Sequence, residues 1–150
     1  MTLFVPFRTD ADVADVVHKF ESCHYGKDEF PHFRHLAVAA WYLSHYSPEE
    51  SLERLRENLL RFTSHHGVTA YHETITRFWL RLAQGHLRSA RPEDPLVDRI
   101  NALVQQLLRK EILFDYYSRE RVMSQEARAA WLPPDLRDFE HPVAFAQPPE

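Results

Sequence analysis

Glycine is nearly missing from this chain, at 3 of 150 residues. That excludes the Gly-rich loops that cradle phosphates and argues against tight β-hairpins. Cysteine occurs once, at Cys23, so no internal disulfide can form, as suits a reducing compartment. Positive charge is not in excess: 18 basic residues lie scattered among 22 acidic ones, for a net charge of −4 with histidine neutral. With no basic stripe to neutralise a phosphate backbone, nucleic acid is not expected as a partner. No apolar run approaches the roughly 20 residues that cross a bilayer. The first ten residues also lack the basic start and apolar stretch of a signal peptide. The expectation is a cytoplasmic protein with no membrane partner.

What the chain holds in quantity is histidine, 10 residues, half of them between His24 and His65. Apolar residues make up 44% of the chain, enough for one domain of this length to bury a core unaided. Their spacing is helical, and nothing alternates as a strand. Residues 1–7 read as an extended arm. Thr9 or Asp10 caps a first helix with Val13, Val16, Val17 and Phe20 on one face. After a loop at 23–28, a second helix begins near Pro31 and turns Phe33, Leu36, Ala37, Ala40 and Trp41 inward. Ser47-Pro48-Glu49-Glu50 is a strong helix start, with cap, first-turn proline and a glutamate three residues on. The third helix points Leu52, Leu55, Leu59 and Phe62 inward and Glu53, Arg54, Arg56 and Glu57 outward, and Gly67 ends it in the left-handed conformation. Thr69 caps a fourth helix reaching about Gln84, a loop covers 85–92, Asp94-Pro95 opens a fifth, and Ser118 and Ser124 cap short pieces. The fold expected is all-α: an up-down bundle of four to five helices with a short C-terminal helical hook, one domain over 1–138. Residues 139–150 form an extended or disordered tail.

Candidate chemistry gathers at two helix starts. His32 and His35, three residues apart, project from the same side of the second helix. Ala39 one turn further on leaves room beside them. His72 shares a face with Thr76 and Trp79 on the fourth helix, next to Tyr71. Glu73 lies about 100° round the axis from His72, where it pairs with Arg77 as a surface residue or serves a site. In an up-down bundle the second and fourth helices run parallel, so His32, His35 and His72 reach one end of the bundle, with Glu21 at the same level. Cys23 reads as a small buried hydrophobe, and Tyr116-Tyr117 as a packed aromatic hinge.

The blocks Phe30-Pro31-His32-Phe33-Arg34-His35-Leu36, Tyr71-His72-Glu73-Thr74-Ile75-Thr76 and Tyr116-Tyr117-Ser118-Arg119 resemble those of a family of small bacterial all-helical proteins. The likeness covers about residues 20–136, with Phe30 where that family has a tryptophan. It implies a helical fold and places His32, His35, Tyr71, His72 and Glu73 within the motif blocks.

Two functions are expected from these residues. The first is a metal-dependent enzyme acting on a small molecule, a hydrolase or an oxidoreductase. There His32, His35 and His72 hold a divalent transition metal (zinc, iron or manganese), and Glu73, Tyr71 and Glu21 supply a fourth ligand or general base. The alternative is a non-catalytic helical module that binds a small molecule or a partner.

Overall fold

Helix α2, His32–His45, is apolar nearly all round, and such a helix belongs at the centre of a fold. In the computed structural model, which describes residues 3–139, it packs against four partners: α1 (Asp10–Glu21), α3 (Pro48–His65), α4 (Glu73–Ser89) and α5 (Leu96–Gln106). Leu36, Ala37, Val38, Ala39, Ala40 and Tyr42 are all buried. The described residues are all-helical, with no strand among them, and none of the described helices is long and apolar enough to cross a membrane.

The helix starts follow the local chemistry. Thr9 and Asp12 form a reciprocal capping box on α1. Ser47 accepts from the Glu50 N–H, with Pro48 at the first position of α3. Two tethers then tie the N-terminal segment to α5. Asn101 exchanges two hydrogen bonds of 2.9 Å with the backbone of Phe7, and the Asp10 carboxylate accepts from the Val97 N–H at 3.0 Å. Phe4 and Phe7 pack on the core.

Both interhelical turns on either side of α2 and α3 use the same terminator. After α3, Gly67 takes φ +68, the Val68 N–H bonds the Thr63 carbonyl and the Gly67 N–H bonds that of Ser64, which is a Schellman motif. After α1, Cys23 holds the equivalent place with φ +56, and His24 and Cys23 donate to Lys19 and Phe20. Cys23 is half-buried. Its place is thus set by backbone conformation rather than by the burial expected of it.

Helix α4 runs one turn past the expected end at Gln84. Gly85 is buried and Leu87 still packs on the core, so the apolar face outweighs the glycine's low propensity. After α5, a 3-10 turn (Lys110–Ile112) leads into α6 (Leu113–Tyr116), α7 (Arg119–Val122) and α8 (Gln125–Ala129). Ser118 and Ser124 cap the last two. This hook builds a second core with α4 from Phe78, Leu113, Tyr116, Tyr117 and Val122. Of the expected tail, Phe139 packs against Phe78, Tyr116 and Trp131, and 140–150 lie outside the described residues.

Candidate functional site

A cavity of about 710 Å³ lies between α2, α3, the start of α4 and the segment from Lys110 to Phe114. Its walls are mostly apolar, with Phe30, Leu55, Leu59, Phe62, Ile75 and Trp79 among them, and Ala39 contributes only a methyl where a leucine would fill the space. Lys27, Lys110, Glu111, Val68 and Met123 also line it and are exposed, marking its mouth. His32, His35, Tyr71, His72 and Thr76 line the same cavity. The two helix starts therefore meet.

The ring nitrogens there are largely drawn into the protein's own hydrogen bonds. His72 is the N-cap of α4, in place of Thr69: its Nδ1 accepts the Ile75 N–H at 3.1 Å. Nε2 must then carry the proton, which it donates to the Val122 carbonyl at 2.7 Å. Both nitrogens are spent on the backbone. The His32 Nε2–H donates to the Leu107 carbonyl at 2.9 Å, so Nδ1 alone keeps a lone pair, and the ring packs edge-on against Trp79. His35 lies against the Phe30 ring at 4.1 Å with its N–H steadied by the Phe30 carbonyl. Among the described residues, no three histidine, cysteine or acidic side chains converge to hold a metal ion.

Burial sets the charge state of all three imidazoles. It pulls His35 down to about 3, with the neighbouring His32 and Lys110 adding to the effect, and moves His32 and His72 down as well. Burial also pushes the Tyr71 phenol up, reinforced by its hydrogen bond to Glu73.

Of the two places expected for Glu73, a surface pairing with Arg77 or a site, the surface one does not hold. Glu73 is 8% exposed, and Arg56 grips its carboxylate through two hydrogen bonds, at 2.9 and 2.5 Å. Tyr71 donates a third at 2.6 Å, and Arg77 stands 3.9 Å away. Burial alone would raise the Glu73 carboxyl, but the bonds from Arg56 and Tyr71 and the two arginine charges outweigh it and hold it below the usual carboxylate range. Glu73 thus backs the cavity wall through Tyr71 without lining it.

Glu21 stands apart. Its carboxylate accepts from the Tyr42 hydroxyl at 2.5 Å, between α1 and the far half of α2, and it does not reach the cavity. A shared bundle level was expected to place it with the histidines, but its partner Tyr42 lies about two turns further along α2 than His35.

Arg56 had no signal as a site residue, since α3 carries several charges on its polar face and only tertiary packing turns this one toward Glu73. Nor did Thr74, whose hydroxyl donates to the Ala130 carbonyl and accepts from Leu132, clasping the hook to α4. Comparison with protein-family models, with curated proteins and with solved structures returned no match.

Proposed function

We propose that this chain binds a small, largely apolar molecule in the cavity between α2, α3 and α4, as a binding module. The observation that carries this reading is the cavity itself: about 710 Å³, within the roughly 300–1,000 Å³ of ligand pockets, with apolar walls and a few convergent polar groups. The titratable groups around it favour binding over proton transfer. His35 sits near 3, Tyr71 is pushed up and Glu73 down, whereas a general acid or base works best near the ambient pH.

Thermal denaturation tests it. Alkylphenols, alkyl alcohols, alkylbenzenes and fatty acids are added singly to the full chain and to Ala39→Leu, which fills the cavity from α2. At a hundred times its Kd a true ligand stabilises the native state by about 2.7 kcal/mol. At least one of these compounds should raise Tm in the parent and lose that effect in Ala39→Leu. An equal rise in both proteins would overturn the cavity as the site. Zinc, iron(II) and manganese salts form a separate arm, and a metal-induced rise that His35→Ala removes would favour the metal-binding reading instead.

A further inference from the structure

Charge around the cavity is confined to its mouth. Burial holds the imidazoles of its wall, His32, His35 and His72, toward the neutral form. Arg56, the cation behind the inner wall, spends its guanidinium on Glu73. The charged side chains that line the cavity are Lys27, from the loop before α2, and Lys110 and Glu111, from the 3-10 turn after α5. All three are exposed, and none makes a hydrogen bond or an ion pair to another described residue. Two positive groups and one negative leave a single net positive charge at the mouth. Its field reaches inward: Lys110 works against protonation of both His32 and His35, and at His32 it outweighs the opposing Glu111. The start of α2 acts in the same sense. It lines the cavity through Pro31 and His32, no side chain caps it, and its first turn holds no acidic residue to offset the positive end of the helix dipole.

We infer that the ligand is an apolar acid whose chain lies among Phe30, Leu55, Leu59 and Phe62 and whose carboxylate stops at the mouth, against Lys27 and Lys110. This rests on the cavity-binding reading above and adds the head group and the direction in which the molecule lies. The reverse orientation takes a carboxylate out of water and into apolar walls that hold no uncommitted cation, which is far costlier than leaving it outside. At the mouth the carboxylate keeps part of its water, and the lysine stems cover the emerging chain while their ammonium groups turn to the head. One net positive charge suits a singly charged carboxylate better than a phosphate dianion, which Glu111 repels twice as strongly. An amine head has Glu111 to pair with but faces both lysines.

The test uses decanoate, decan-1-ol and decylammonium, which share one chain and differ in the head. Each is titrated calorimetrically, below its micelle concentration and at low salt, into the full chain, the double variant Lys27→Gln/Lys110→Gln, Glu111→Gln and Ala39→Leu. Decanoate is expected to bind about fivefold more tightly than decylammonium. The double variant, which removes two exposed and unpaired side chains, should cut decanoate affinity about fivefold and leave decan-1-ol unchanged, the worth of two partly exposed charge pairs. Glu111→Gln should raise decanoate affinity about twofold, and added salt should weaken decanoate while sparing the alcohol. Decylammonium binding as tightly as decanoate, or a decanoate affinity that the double variant leaves alone, overturns the acid head. So does binding of decan-1-ol without decanoate. In each of those cases decan-1-ol binding that Ala39→Leu abolishes keeps the cavity as the site. Binding of none of the three to the parent overturns the cavity reading and this inference with it.

Discussion

Cys23 shows how much a single residue's conformation can matter more than its chemistry. At φ +56 it occupies the left-handed region that a side chain enters at a cost of roughly 1–2 kcal/mol, to close α1 with two backbone hydrogen bonds. Cys23→Gly removes the strain but loosens the unfolded chain. The net gain should be about 0.5–1 kcal/mol in urea denaturation, and an unchanged or lowered midpoint would contradict it. Nothing in the sequence marked this position, because Gly26, three residues on, carries the expected signal for a break. Gly67 was legible as a terminator since residue type and backbone agree there. Glu73 was visible as a candidate, yet its partner was not: Arg77 is fixed by helical spacing, whereas Arg56 comes from another helix.

At the scale of the element, α4 owes its start to a histidine. His72 caps the Ile75 N–H through one nitrogen and ties the hook to the helix through the other. A cap is worth about 1 kcal/mol and a buried hydrogen bond about as much, so His72→Ala should cost about 2 kcal/mol. His72→Asn keeps the cap and gives up the longer reach to Val122, so it should recover about half. Equal losses for Ala and Asn, measured by urea denaturation, would show that the cap contributes nothing. Sequence reasoning located this helix and singled out His72, but assigned it to ligand chemistry. Serine and threonine caps such as Ser47, Ser118 and Ser124 are recognisable from residue type. A histidine cap is not, because the same ring on the same face would serve a metal equally well.

The whole molecule was legible as helices and opaque as a cavity, for a physical reason. A helix is written in the spacing of its own residues, whereas a cavity is what several elements fail to fill. Ala39, a small residue beside two histidines, was its one local trace. The cavity also makes a prediction about pH. The unfolded chain takes up protons on histidine near pH 6.5, while burial keeps His32, His35, His72 and His86 below that value in the fold. Between the two values the unfolded state binds more protons, so stability is full above about pH 6.5 and falls as the pH drops. For His35 that window extends down to about 3, and Lys110 and His32 face it from the 3-10 turn and from its own helix, both acting against protonation. Integrated from pH 7 to 5, His35 alone should remove about 2 kcal/mol, before the carboxylates begin to titrate. Urea denaturation at half-unit steps should show that loss on top of the smaller ones from the other three. His35→Gln, which keeps a donor for the Phe30 carbonyl but cannot take up a proton, should flatten the profile by the same amount. If the variant and the parent lose stability in parallel, His35 is not held neutral by the wall of the cavity.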